Sequence, residues 1–164
     1  MTLANLLRTG QLKNHEPDAT EVQRLLQAAR RNIADSRVSA ISAETRFDAA
    51  YKAIMQVALA ALMANGFRPD TNRPGHHMTV VQSLPKSIGL ATERMVVLDA
   101  LRRKRNLSDS TGEDVDDGSV THCIAEAEQL MQDVNQWLEQ NRSDLTQGQA
   151  VYALERLFKL THRR

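Results

Sequence analysis

The chain has 164 residues, of which 41% are hydrophobic, 25% charged and 4% aromatic, with a formal net charge of +1. This length accommodates one domain with a real core, and the mixture excludes a disordered chain. A balance so near zero gives no global attraction for nucleic acid or anionic lipid, so electrostatic recognition has to be local.

Cys123 is the single cysteine, which rules out an intrachain disulfide and a thiolate metal cluster. With few aromatics, the apolar load falls on Leu, Ala, Val, Ile and Met, which suits helix packing. The opening stretch "MTLANLLRTGQLKNHEPD" has no basic region followed by a long apolar core and does not read as a signal peptide. Ile54 to Ala64, the most apolar run, is too short to span a bilayer and contains Gln56. The reading is a cytoplasmic, reduced protein with no membrane partner.

Along the chain, "LANLL" is a short helix candidate. The first long helix starts at Asp18, an N-cap that Glu21 completes as a capping box, and Val22, Leu25, Leu26, Ala29 and Ile33 recur at helical spacing. Ser39 and Ser42 signal a turn after it. Ser42 caps the second helix, whose wide stripe of Phe47, Ala50, Tyr51, Ile54, Val57, Ala58, Ala61 and Leu62 faces more than one neighbour. Asn65-Gly66 supplies its stop.

Pro69, Pro74 and Gly75 make the next connection rich in turns. His76 to Leu84 reads as a short helix closed by Pro85. Thr92 caps a third long helix carrying Met95, Val96, Leu98 and Leu101, which ends in the basic run Arg102 to Arg105. After the turn "SDSTGEDVDDG", a fourth long helix extends from about Ser119 to Asn141 through Val120, Ile124, Ala127, Leu130, Met131, Val134, Trp137 and Leu138. A C-terminal accessory helix over about 147–160 repeats the pattern with Val151, Leu154, Leu157 and Phe158. No repeat or linker divides the chain. The fold class is therefore all-α: a single-domain antiparallel four-helix bundle over 1–164 with additional short helices.

Chemistry-bearing motifs are sparse. A Gly-rich phosphate loop, "HExxH" and "CxxC" are all missing, and no cofactor or metal is implied. Asp114, Asp116 and Asp117 alternate with Gly112 and Gly118 in a solubilising turn that lacks calcium-loop spacing. His76 and His77 offer an imidazole for proton transfer, although neighbours on a helix diverge and do not share a metal. The same divergence argues against a His122–Cys123 catalytic pair, and Cys123 reads as a buried filler. Arg102 and Arg105 are three apart on one helix face, and with Asp109 they make a polar corner suited to phosphate or carboxylate. Arg103 and Lys104 turn away, Asn106 fixes the turn, and charge at a helix C-terminus is also favourable without a ligand.

The helix order and the stretch "LRRKRNLSD" resemble the HEPN superfamily, small all-helical proteins whose active members carry an Arg-x(4–6)-His motif beginning with "RN" or a similar polar pair. Arg105 and Asn106 are the matching positions, and the HEPN-like core covers approximately 18–141. By resemblance, active members are metal-independent ribonucleases with arginine and histidine paired across a dimer cleft. This chain departs from the pattern: Ser110, Thr111 and Gly112 stand where the histidine belongs, and starting at Arg102 or Arg103 does not supply one. Inactive relatives bind nucleic acid or partner proteins, sometimes beside a nucleotidyltransferase or in a toxin–antitoxin pair. The expectation is a non-catalytic, HEPN-like, homodimeric accessory protein that binds a partner protein or RNA through Arg102, Arg105, Asn106 and Asp109. The alternatives are a noncanonical, toxin-like, metal-independent ribonuclease using Arg105 with His76 or His77, and a structural homodimer without a ligand.

Overall fold

The computed structural model describes residues 2–146 and 157–162. In chain order the elements are α1 (Leu3–Arg8), β1 (Leu12–Asn14), α2 (Ala19–Ser36), α3 (Ala43–Ala64), β2 (Phe67–Pro69), α4 (His76–Gln82), α5 (Leu84–Ser87), α6 (Thr92–Thr111) and α7 (Asp117–Asn141), then a 3-10 turn at Ser143–Thr146. Among the described residues these eight helical elements make an all-α, single-domain bundle, joined by one small strand pair.

Asp18 caps α2, its carboxylate accepting from the amides of Thr20 at 2.7 Å and Glu21 at 3.4 Å. Only half of the expected capping box forms, because the Glu21 carboxylate instead meets His15 Nε2 at 2.6 Å. Val22, Leu26, Ala29 and Ile33 then point inward on one stripe.

Ser42 accepts from the Thr45 amide and starts α3, which ends at Asn65 with Gly66 following at φ +90°. Its stripe is as wide as the spacing predicts. Eleven of its 22 residues are buried, and the helix packs against α2, α7, α4 and α6. Buried alanines at 50, 53, 58, 60, 61 and 64 leave room for those neighbours to approach. The apolar run at 54–64 thus belongs to a longer helix, long and apolar enough to cross a membrane by length and composition, with mean hydropathy 1.3 over its best eighteen residues. Within this fold 61% of that stretch is buried. This matches a central core helix.

The strand pair was not foreseen. Leu12, Lys13 and Asn14 pair antiparallel with Pro69, Arg68 and Phe67, and Leu12 is buried at 1% exposure. Proline is tolerated here because the strand lies at a sheet edge.

Two local expectations need correction. Pro85 does not close the short helix: α4 ends at Gln82, and Pro85 lies in the first turn of α5, where its missing N–H has no partner to lose. Nor does α6 end at the basic run. The helix begins after Ala91, with Thr92 as its first residue, and continues to Thr111 before stopping at Gly112, whose φ of +70° suits only glycine at no cost. Arg102 to Asn106 are therefore in the helix interior, so Asn106 fixes no turn and the basic run gains little from the helix dipole. The C-terminal helix expected over 147–160 lies outside the described residues except for 157–160, part of a short helical turn on which Leu157, Phe158 and Leu160 are exposed.

Candidate functional site

Helical pitch divides the basic run of α6. Arg102 turns inward, its side chain only 13% exposed, with Nε 2.8 Å from Asp99 Oδ1. Arg105 turns towards α3: its Nε lies 3.7 Å from Asp48 and 3.1 Å from Asp109, and the guanidinium carbon stands 5.5 Å from the centre of the Tyr51 ring. That is cation–π range. Arg103 and Lys104 point outward, Arg103 reaching Asp99 at 3.7 Å and Lys104 reaching Asp116 at 3.6 Å. Asn106 is exposed on the middle of the helix.

The third wall of this corner comes from α4. The Tyr51 hydroxyl meets His77 Nδ1 at 3.4 Å, a long contact whose donor is set by the imidazole tautomer. His76 makes a T-shaped contact with His77, ring centres 4.6 Å apart, and its own Nδ1 lies 3.4 Å from the Arg73 carbonyl. So Arg102, Arg105, Asp109 and His77 share one corner around Tyr51, while His76 also lines a separate cleft.

The electrostatics follow from this packing. Burial first, then His76, Arg105 and Arg102, hold the His77 imidazole below its ordinary 6.5, so it is neutral at pH 7 and able to accept a proton. Burial pushes the Tyr51 phenol up to about 12 against the opposing pull of Arg105 and Arg102, so it keeps its proton. Asp48 is raised by burial and by Asp109, while Arg105 opposes the shift. A neutral imidazole, a protonated phenol and a guanidinium are group types that acid–base chemistry at an anion requires. Against that, every cation from Arg102 to Lys104 and Arg105 has a carboxylate within 4 Å, so an incoming phosphate meets Asp48, Asp99 and Asp109 as well.

Sequence reading did not identify Asp48, Tyr51 or Asp99 as parts of this corner. Their signals were local spacings: Asp99 precedes Arg102 by three, and Asp48 and Tyr51 are three apart on α3. Cys123 is fully buried and its thiol is pushed up to about 12, chiefly by burial, while exposed His122 turns to Glu126 at 3.6 Å. Among the described residues no three His, Cys, Asp or Glu side chains gather as a metal-binding group.

Outside the corner, α6 is lightly covered. Of its twenty residues only Leu98, Asp99 and Leu101 are buried. Val96, Ala100, Arg103 and Leu107 fall on one exposed stripe at three- and four-residue steps, Val96 at 51% and Leu107 at 47% exposure. Compared with known proteins, the chain matches no family model, no curated protein and no solved structure.

Proposed function

We propose that the chain is a HEPN-like, non-catalytic accessory protein that docks a partner protein through the exposed face of α6. On this reading α2, α3, α6 and α7 are the helices of an antiparallel four-helix bundle spanning 18–141, and the protein acts as a cytoplasmic homodimer. The observation that carries it is the state of the basic run, in which all four cations already face carboxylates beside an uncovered stripe of Val96, Ala100 and Leu107. Neutralised cations hold little attraction for a phosphate backbone, whereas a mixed apolar and charged helix face suits a protein surface.

Capture from native extract, with and without nuclease treatment, tests this proposal. Partner recovery that survives the nuclease and is lost in Val96→Asp supports the protein adaptor. Recovery that the nuclease abolishes overturns it in favour of RNA binding.

A second reading, a noncanonical metal-independent ribonuclease, draws on the contact of His77 with Tyr51 beside Arg105. There His77 is the proton acceptor and Arg105 the phosphate-facing cation. Metal-free cleavage of RNA by the purified protein, lost in His77→Ala and kept in His76→Ala, is its signature.

A further inference from the structure

A cleft of about 610 Å³ opens between α1, the turn before α4, and the facing ends of α4, α5 and α6. That volume lies in the range of small-molecule sites, which are apolar clefts with a few polar groups to fix orientation. Leu6, Met78, Pro85 and Met95 line it as apolar wall, and methionine adapts its shape to varied ligands. Arg73 and Lys86 lie in the same wall.

The two cations differ from those of the α6 corner. Among the described residues neither has a carboxylate within 4 Å, and both are exposed to the cleft's solvent. The single acid in the lining, Asp70, is already engaged: its Oδ1 accepts from the Asn72 amide at 3.0 Å and faces Lys13 at 3.9 Å. Arg73 is also seated. Its guanidinium lies against the bare backbone of Gly10, where a Cβ would stand 2.9 Å from Nη2. The turn that carries it is tied by Asp70 N–H to the Gln11 carbonyl and by Arg73 N–H to the Asp70 carbonyl.

We propose that this cleft binds a small organic anion, its apolar body on Met78 and Met95 and its carboxylate or phosphate head engaged by Arg73 and Lys86. The charge balance of the wall selects the sign of the head, and the methionines select a hydrocarbon or flat ring system over a bare ion. The proposal is independent of the α6 stripe and of the Tyr51 corner, so either can fail without the other.

Anilinonaphthalene sulfonate is a suitable probe, an anionic head on an apolar body, titrated into the full chain and followed by fluorescence. One saturable site is expected, with Arg73→Gln and Lys86→Gln each weakening it about tenfold, the size of one charge-assisted contact. Neutral phenylnaphthylamine should bind more weakly by at least that factor. Octanoate or octyl phosphate should displace the dye, and whichever does so at lower concentration identifies the preferred head. The methyl resonances of Met78 and Met95 should move on binding. Both cations are exposed, so the variants should keep the parent's helical signal and melting temperature. Equal affinity for the neutral dye overturns the proposal. So does unchanged binding in both folded variants, displacement by inorganic phosphate as effective as by octyl phosphate, or methyl shifts confined to other sites.

Discussion

The Tyr51 hydroxyl stands 3.4 Å from His77 Nδ1, and the Tyr51 ring also carries the Arg105 guanidinium at 5.5 Å, so one aromatic side chain links an imidazole to a cation. Because His77 titrates below 6.5 in the folded protein, the folded state binds fewer protons there than the unfolded state. The associated stability is fully present above 6.5 and declines as pH falls from 6.5 through the folded value. Melting temperature followed across that window should fall more in the parent than in His77→Gln. In Arg105→Gln, proton titration by NMR should show His77 moving only part of the way back, because burial is the larger cause. A His77 titration at or above 6.5 in the parent contradicts this account.

Leu12 ties the N-terminal segment to the body. Its side chain is 1% exposed although it sits on a three-residue strand, and its partner Pro69 lies beyond the end of α3. Leu12→Ala should destabilise the protein by about 2–5 kcal/mol, the usual cost of emptying a buried leucine site. Denaturant unfolding measures it. A loss well under that range would mean that the clip frays without disturbing the core.

Helix starts and core stripes were legible because they depend on neighbours in the chain. Asp18 and Ser42 cap the helices their positions predict, and the inward residues of α2, α3 and α7 follow the 3.6-residue period. The β1–β2 pairing was not legible, since three-residue strands carry no period and their partners are far apart in sequence. The end of α6 misled for a different reason. Ser108 to Thr111 have the composition of a turn, yet Thr111 and Ser110 fold their hydroxyls back on the Leu107 carbonyl, and Asp109 pairs with Arg105 one turn earlier. Those local bonds extend the helix to Gly112. Of the corner, Arg102, Arg105 and Asp109 were readable from spacing, while Tyr51 obeys the apolar stripe of α3 and hides its polar tip in that pattern. His77 joins the corner only through the packing of α4 on α3, which no spacing in the sequence encodes.

Ala100 sits at the middle of the exposed stripe of α6, where a small side chain lets another helix come close. A stripe covered by a second copy is closed to a partner protein, so if two copies pair there the partner has to displace one of them. In that pairing Ala100→Glu places a carboxylate in the contact on both sides of the two-fold axis. Sedimentation equilibrium over a concentration series should then show the parent as a dimer and Ala100→Glu as a monomer, with unchanged helical content. A parent that remains monomeric at micromolar concentration removes the homodimer.

Arg105 separates binding to a protein from binding to RNA. Its Nε lies 3.7 Å from Asp48 and 3.1 Å from Asp109 and its guanidinium stands over the Tyr51 ring, which holds it on the α3 side of α6 and away from the exposed stripe. Lysine keeps the charge and loses the fork. A protein partner seated on Val96, Ala100, Arg103 and Leu107 does not touch Arg105, so Arg105→Lys and Arg105→Gln should leave capture within about twofold of the parent, with little change in salt dependence. For RNA, Arg105→Lys should retain most of the affinity, while Arg105→Gln should reduce the slope of affinity against salt by about one phosphate contact. Binding of a fluorescent RNA and of the captured protein, each measured at several salt concentrations, distinguishes the two patterns. Loss of protein capture in both variants, with the fold intact, would place the partner's contact on the Arg105 corner and not on the exposed stripe of α6.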